Sequence, residues 1–215
     1  MDNIKKNLST FTDPRDGTVY KTVTIGRQTW LAENLKASVF RNGDPIPHMQ
    51  SHDEWDNAGR DGKPAWCFYN KDSANDKKYG RLYNWFALAD PRGLAPEGWH
   101  FPSESEWNEL FDILGGPDKA GTKMKSAEGW THNGNGSDSS CFSALPCGCR
   151  MGDGDFSDFG FFGYWWSTTE DEHECAWHFE LYYGSGRALD NHDFKRTGFS
   201  VRCVFDEQKD KPVKI

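Results

Sequence analysis

The amino-acid sequence predicts an α+β domain, on the strength of one clearly capped helix and a later region of short strands. The helix begins with a capping box, in which Ser103 accepts a hydrogen bond from the backbone of Glu106 and Glu106 bonds back. An apolar stripe follows at helical spacing, at Trp107, Leu110, Phe111 and Leu114. From Gly129 onward, short aromatic segments alternate with loops rich in Gly, Ser and Asp. Helices followed by a run of strands are typical of an α+β domain.

The remaining elements follow from local patterns. Residues 18–25 alternate like a strand, and residues 29–31 pair back after a short turn. Residues 41–64 hold few apolar positions, which predicts a loop or an insertion. Residues 79–88 begin as a turn and become a helix, and another short helix is expected over residues 117–126. The main pattern is therefore two helices followed by strands.

Length and composition fit a single domain. The chain has 215 residues, and its ten Trp and fifteen Phe can build a core from few side chains. We expect residues 1–13 to be a flexible N-terminal segment, residues 14–206 to be the domain, and residues 207–215 to be a charged tail. Arg202 lies between apolar neighbours in a strand, so we expect it to be buried in an ion pair.

Charge and hydropathy argue against two kinds of partner. The net charge is −8 and no basic run is present, which disfavours nucleic acid. No apolar run reaches the ~18 residues that a membrane span needs. Residues 1–6 lack the apolar centre of a signal peptide. We therefore expect either an intracellular chain or one whose leader lies upstream.

Four segments and the opening strand region carry a family resemblance. The segments are residues 80–85 (Gly-Arg-Leu-Tyr-Asn-Trp), 96–107 (Pro-Glu-Gly-Trp-His-Phe-Pro-Ser-Glu-Ser-Glu-Trp), 164–170 (Tyr-Trp-Trp-Ser-Thr-Thr-Glu) and 198–204 (Gly-Phe-Ser-Val-Arg-Cys-Val). In this order, together with residues 16–35, they resemble the Fibrobacter succinogenes major paralogous domain. Parts are also similar to formylglycine-generating-enzyme-type domains, a wider group with the C-type-lectin-like fold.

The resemblance implies both a fold and a location. The fold would be C-type-lectin-like, with two helices followed by short twisted antiparallel strands and long loops. Members are often lipoproteins or secreted proteins, so we expect the cell surface or secretion, provided that a leader is absent from this chain. A cytoplasmic or phage-encoded protein remains an alternative. Ala95 stands where many members carry Cys, and Cys147 and Cys149 are atypical, which puts a family disulfide in doubt.

The segment over residues 177–196 is the candidate ligand-binding region. Trp177, Phe179 and Leu181 alternate towards the core, so the residues between them are expected to point outward. Beyond Gly184 the segment is polar and aromatic without a core period, as at many binding surfaces. The candidates are His178, Glu180, Tyr182, Tyr183, Ser185, Arg187, Leu189, Asp190, Asn191, His192, Asp193 and Phe194, with the loop at 153–161 beside them. The plainer alternative is an ordinary exposed hairpin.

Two stretches of this chain share a further resemblance. Residues 147–162 and 178–194 resemble the variable regions of diversity-generating retroelement targets, which diversify codons that contain adenine. The residue types that such diversification produces, including Tyr, Ser, Asp, His and Cys, dominate both stretches. The resemblance implies a surface whose side chains vary among copies.

Metal sites are weakly indicated. Asp153, Asp155 and Asp158 begin like an EF-hand calcium loop, but the twelfth position is Tyr164 where the loop needs Glu, and a solvated acidic loop is the alternative. His173 and Cys175 could contribute to a zinc site, although a strand would point His178 away from them. We therefore expect no cofactor, with calcium as the one candidate. The six cysteines permit disulfides.

The functional hypothesis is a surface or secreted ligand-binding module for a glycan or a protein, and not an enzyme. No Ser-His-Asp elbow, P-loop or Rossmann fingerprint occurs. One alternative is a metalloenzyme of the formylglycine-generating or sulfoxide-synthase type, which would need a copper-binding cysteine pair or an iron-binding histidine triad late in the fold. The other is a structural surface protein without a small ligand.

Overall fold

The computed structural model describes residues 7–172 and 174–206. Its helices are α1 (His52–Arg60), α2 (Asp76–Tyr79), α3 (Trp85–Ala89), α4 (Glu104–Ile113) and α5 (Pro117–Met124). Its strands are β1 (Asn7–Thr12), β2 (Val19–Ile25), β3 (Gln28–Leu31), β4 (Trp66–Cys67), β5 (Leu82–Tyr83), β6 (Trp99–His100), β7 (Cys149–Arg150), β8 (Phe156–Ser157), β9 (Phe162–Glu170), β10 (Cys175–Tyr182), β11 (Ala188–Phe194) and β12 (Val204–Phe205). The expected α+β class is confirmed.

Two antiparallel sheets organise the domain. The larger has the strand order β1-β2-β3-β12-β6, so the last strand lies between elements from the first half of the chain. Val204 of β12 pairs with Trp30 on one side and with His100 on the other. The smaller sheet has the order β11-β10-β9. Two short ribbons, β4-β5 and β7-β8, complete the described sheets.

The N-terminal region differs from the expectation of a flexible segment. Residues 7–12 form β1 and pair with β2 along its whole length, from Asn7 opposite Thr24 to Thr12 opposite Val19. The side chains of β1 are mostly exposed, so main-chain hydrogen bonds hold this strand and an apolar pattern does not reveal it. Residues 1–6, and the expected tail at 207–215, lie outside the described residues.

A helix occupies part of the region that was expected to be a loop. Helix α1 begins with its own capping box, in which Ser51 Oγ accepts from the Glu54 amide at 3.2 Å and Glu54 Oε2 accepts from the Ser51 amide at 2.9 Å. Trp55 is fully buried. The Ser-x-x-Glu signature was present in the sequence, but only Trp55 and Ala58 give it an apolar stripe, which is too short to show a period.

Helix α4 forms as expected and packs on the smaller sheet. The Ser103 side chain accepts from the Glu106 amide, and Glu106 Oε2 accepts from the Ser103 amide at 2.8 Å. Phe179 of β10 lies with its ring centroid 5.3 Å from that of Trp107 and 5.2 Å from that of Phe111. This contact fixes which face of β10 points towards the helix.

The smaller sheet is buried on both faces over much of its length. Trp165 and Phe179, which are paired, belong to the core cluster that contains α4. Trp166, next along β9, belongs to a second cluster with Tyr83 and Phe199. Its indole nitrogen donates to the Tyr83 carbonyl at 2.9 Å. The sheet is therefore sandwiched, and neighbouring side chains on one strand enter two different cores.

Arg202 is buried as expected, but its partners are not carboxylates. The guanidinium donates to Asn34 Oδ1 at 2.7 Å, to the carbonyls of Leu31 and Phe142 at 2.9 and 3.0 Å, and to that of Ser143 at 3.2 Å. The ion-pair expectation is wrong, because the Asn34 side-chain oxygen and three backbone carbonyls converge here and accept these hydrogen bonds. Burial lowers the pKa of Arg202 to about 10, which leaves the group charged at neutral pH.

Asn34 connects Arg202 to the rest of the fold. Its Oδ1 also accepts from the Trp165 indole at 2.9 Å. Its amide nitrogen donates to the Tyr79 carbonyl at 2.8 Å and to Ser200 Oγ at 3.2 Å. One side chain of the N-terminal region thus satisfies polar groups from α2, the smaller sheet and the C-terminal segment.

The α4 capping box gives the first stability prediction. Ser103→Ala should lower the free energy of unfolding by about 1 kcal/mol, because an N-terminal amide loses its acceptor. The matched control is Asn108→Ala on the exposed side of the same helix, which should leave stability unchanged or slightly raised. Urea melts of both variants measure the difference, and equal midpoints would contradict the prediction.

The Asn34 bonds give a second prediction. Asn34→Ala should cost on the order of 3 kcal/mol or more, because Arg202 Nε and the Trp165 indole would both remain buried without an acceptor. Asn57→Ala, at an exposed position of α1, is the control and should stay within about 0.5 kcal/mol of the parent. A loss for Asn34→Ala as small as that of the control would show that the buried donors find other partners.

Candidate ligand-binding site

One face of the smaller sheet is only partly covered. The register places Phe162 opposite Tyr182, and Glu180 between Tyr164 and Leu189. Directly paired residues project from the same side of a sheet, and this side is opposite to the one on which Phe179 meets α4. We call this surface the aromatic face, and it consists of Phe162, Tyr164, Glu180, Tyr182, Leu189 and Asn191.

Aromatic contacts order this face. The rings of Phe162 and Tyr164 are parallel within 5°, with centroids 5.4 Å apart, and the Phe162 and Tyr182 centroids are 4.7 Å apart. Phe162 and Tyr182 are half-buried, which leaves part of each ring open to solvent. Asn191 is exposed at the outer strand. The face therefore combines apolar rings with an amide and a carboxylate on one regular sheet.

The loop that includes β7 and β8 borders the aromatic face. Asp158 Oδ2 accepts from the Tyr164 hydroxyl at 3.1 Å, and Cys149 Sγ lies 3.9 Å from the same oxygen. Met151, which is 41% exposed, has its sulfur 3.8 Å from Cys149 Sγ. Phe162 at the end of this loop pairs with Tyr182 of β10, and the Tyr183 amide donates to the Phe161 carbonyl at 2.9 Å. Residues 147–162 therefore lie beside residues 178–194, the two stretches that resemble a variable region.

The Tyr164 phenol and the Cys149 thiol at this border are held in their neutral forms. Burial, followed by the charge of Asp158, raises the pKa of the Tyr164 phenol well above its ordinary value. Burial, together with the charges of Asp158 and Asp193, raises the pKa of the Cys149 thiol to about 12. Since the thiolate is the nucleophilic form, Cys149 is suited to packing and hydrogen bonding at neutral pH.

The expected outward position of His178 is wrong. This histidine is only 2% exposed to solvent. Its ring centroid lies 4.7 Å from that of Phe199, 5.8 Å from that of Tyr164 and 6.0 Å from that of Trp166. Its Nε2 is 3.4 Å from the Glu180 carboxylate. The inner part of this sheet side is covered by the segment that carries Phe199, so an alternating strand pattern does not expose the polar residue.

The predicted residues of β11 divide between two sides of the sheet. Leu189 and Asn191 lie on the aromatic face, and the register places Asp193 on the same side, where its carboxylate accepts from the Thr197 hydroxyl at 3.0 Å. Asp190, His192 and Phe194 project from the opposite side. The sequence identified this segment but could not assign its residues to one surface.

Residues on that opposite side have partners of their own. His192 Nδ1 is 2.9 Å from an Asp171 carboxylate oxygen. Phe194 is 46% exposed, and the Arg196 guanidinium lies 5.0 Å from its ring centroid. Asp190 is exposed.

The turn between β10 and β11 is held by a buried lysine that sequence reasoning missed. Lys125 Nζ donates to the carbonyls of Tyr182 and Tyr183 at 3.1 Å each and to that of Ser185 at 2.8 Å. Burial lowers the pKa of this ammonium group. A lysine just after an amphipathic helix is typical of a surface position, and no local signal indicates a contact nearly sixty residues away in the chain.

Other side chains of the turn point away from the aromatic face. Tyr183 turns towards His132 and Phe161, with ring centroids 5.4 and 5.5 Å away. Arg187 Nε is 3.0 Å from Asp118 of α5. The turn therefore forms a second, adjoining surface.

The calcium candidates do not converge. Asp153 Oδ1 accepts from the Asp155 amide at 3.1 Å, Asp155 Oδ1 is 3.2 Å from His52 Nδ1, and Asp158 bonds Tyr164. Within the described residues, no three His, Cys, Asp or Glu side chains form a group that could hold a metal ion. His173 lies outside the described residues.

All six cysteines are free, including the buried Cys147 and Cys149. In the described part of the chain, no helix is long and apolar enough to cross a membrane.

The fold and the site define an α+β domain that presents a half-exposed aromatic face on a rigid sheet. Residues 23–204 match the Fibrobacter succinogenes major domain, and the chain belongs to that family. The family resemblance is thus confirmed. No curated protein and no solved structure matches the chain, so the C-type-lectin-like fold stays a prediction.

The role of Lys125 can be tested directly. Lys125→Met should leave three turn carbonyls without their donor and reduce local stability by about 1.4 kcal/mol, which corresponds to roughly tenfold faster amide exchange over residues 183–186. Lys119→Met, at an exposed position of α5, is the control and should leave these amides unchanged. Hydrogen-exchange mass spectrometry measures both, and equal protection in the two variants would contradict a holding role.

Proposed function

We propose that the chain is a non-enzymatic ligand-binding module that contacts its ligand through the aromatic face and the adjoining turn. One observation carries the proposal. The pairing of Phe162 with Tyr182, whose ring centroids are 4.7 Å apart, joins two separate stretches of polar and aromatic residues into one surface. That surface lies on a sheet whose opposite face packs on α4 through Phe179, and binding residues are commonly placed on loops and strand ends above such a rigid scaffold.

The separation between core and surface positions supports the proposal. Ala176, Phe179 and Leu181 anchor β10, and Ala188 anchors β11, all nearly inaccessible to solvent. Tyr182, Leu189 and Asn191 are accessible and bear little of this packing. A module can change such residues without losing its fold, which is what a diversified binding surface requires.

Location and wider fold class form part of the same proposal. We place the module at the cell surface or outside the cell, with a glycan or a protein as its ligand, on a C-type-lectin-like framework. Membership of the Fibrobacter succinogenes major domain family supports this placement, because the resemblance that implied it covers most of the chain. The acidic net charge of −8 is consistent with a partner other than nucleic acid.

A surface variant tests the binding role. The triple variant Met151→Ala, Tyr182→Ala and Asn191→Ala should lose binding to the ligand that a glycan array or a surface-protein array identifies for the parent. Its melting temperature should stay within a few degrees, because all three side chains are at least partly exposed. The matched control is His192→Ala with Phe194→Ala, which changes the opposite side of β11 and should retain binding.

Three results would contradict the proposal. The triple variant could bind like the parent, the control pair could abolish binding, or neither array could yield a ligand, as a purely structural surface protein requires. Metal analysis of the purified protein adds a separate check. Stoichiometric copper or iron would favour the metalloenzyme alternative.

A further inference from the structure

A cleft adjoins the aromatic face at the turn between β10 and β11. It has a volume of about 310 Å³ and lies between the loop at 132–135 and the turn at 183–186. His132 and Tyr183 line it, with ring centroids 5.4 Å apart, and the Phe161 ring lies beside both, at 6.0 and 5.5 Å. We call this surface the shelf, and it consists of His132, Asn133, Asn135, Phe161, Tyr183 and Ser185. The Tyr182 and Tyr183 rings, 4.5 Å apart, connect it to the aromatic face.

The two sides of the shelf are fixed relative to each other. Lys125 holds the turn, and Gly134 approaches it so closely that a Cβ there would lie 2.5 Å from the Tyr183 carbonyl oxygen. His132 and Asn133 adopt left-handed backbone angles, with φ of 48° and 59°. Non-glycine residues adopt this conformation at an energetic cost, so the surrounding structure holds them there. The shelf is preorganised and does not require a ligand to assemble.

Polar groups on the shelf are available to a ligand. The Asn133 side chain is exposed and forms no hydrogen bond within the described residues. Asn135 Oδ1 accepts from the Trp130 amide at 3.0 Å, which orients the side chain and leaves its amino group as a donor. Ser185 Oγ accepts from the Arg187 amide at 3.1 Å and keeps its own proton to donate.

The charge of the shelf narrows the choice of ligand. Among the residues that the structure describes, no Asp, Glu or Arg lines the cleft. The lining cation, Lys125, directs its ammonium group to three backbone carbonyls. In a chain with a net charge of −8, a lining without carboxylates favours an uncharged ligand over a cation or an anion.

We propose that the shelf binds a neutral pyranose unit of a glycan. The apolar C–H side of the sugar would lie on Tyr183 and Phe161, while the amides of Asn133 and Asn135 would bond its hydroxyls. Rigid aromatic rings next to side-chain amides supply these two contacts with little loss of conformational entropy. The inference rests on the proposed function and specifies the ligand class for one part of that site.

Solution NMR of the full chain, labelled with ¹⁵N, tests the inference. The probes are maltotriose, cellotriose and mannotriose, with trigalacturonate as a charged comparison. At least one neutral trisaccharide should shift the amides of Asn133, Asn135, Tyr183 and Ser185, and trigalacturonate should shift them less. No shift from any neutral probe, or a larger effect of the acidic one, would overturn the inference.

A variant pair assigns the effect to the shelf. The double variant Asn133→Gly with Phe161→Ser should reduce the affinity for the neutral trisaccharide by roughly tenfold or more. Glycine keeps the left-handed backbone at position 133, and Phe161 is 39% exposed, so the fold is expected to persist. The control is Leu8→Ser on β1. Leu8 is 63% exposed, and its replacement removes an apolar side chain far from the shelf in sequence. Unchanged affinity in the shelf variant would overturn the assignment.

The outcomes separate this inference from the proposed function. If the aromatic-face triple variant loses an array-identified ligand while the shelf variant keeps it and no trisaccharide binds, the shelf inference fails and the binding module stands. If a trisaccharide binds the shelf but the triple variant leaves every ligand unaffected, the aromatic face is not the binding surface.

Discussion

The buried guanidinium of Arg202 is the constraint on which the arrangement of this domain depends. An arginine that is 1% exposed must have its donors satisfied, because leaving a buried charge without partners costs several kcal/mol. Here the partners are Asn34 and the carbonyls of Leu31, Phe142 and Ser143, which come from regions far apart in the chain. The group is satisfied only when these regions meet in one arrangement, so a single side chain favours that arrangement over other compact packings.

Asn34 extends this constraint to the strands that carry the candidate site. Its oxygen receives the Trp165 indole of β9 as well as Arg202, so the smaller sheet is oriented from the same point that fixes β3. Trp165 and Trp166 then enter separate cores on the two sides of the sheet. Rotation or sliding of β9 would expose one of these indoles and lose its hydrogen bond. The aromatic face is consequently a fixed surface, and substitution at its accessible positions changes its chemistry more than its shape.

Local sequence signals predicted the elements whose structure is determined by residues close together in the chain. The capping box and stripe of α4, the hairpin of β2 and β3, and the α+β order all follow from patterns within about fifteen residues. The capping box of α1 was also present in the sequence, but the apolar stripe that follows it was too short to indicate a helix. Long-range contacts explain the errors. His178 alternates with core residues, yet its side of the sheet is covered by a segment some twenty residues later. Lys125 and Arg202 bond backbone carbonyls, which carry no side-chain identity that a sequence could reveal.

Long-range pairing also explains why the sequence could not assign the residues of the candidate segment to one side of the sheet. A polar-aromatic composition without a core period indicates a surface, but it does not indicate which surface. In a strand, adjacent residues face opposite ways, and a shift of one residue would move every side chain of β11 to the other side. Such a shift would move Ala188 out of its buried position opposite Leu181 and bring Arg187 or Leu189 there, so the burial of Ala188 favours the observed register. This register places Asn191 beside the aromatic rings and leaves His192 with Asp171 on the opposite side. The paired positions of β10 and β11, including the buried Ala188, thus determine which side of the sheet each residue of this strand faces.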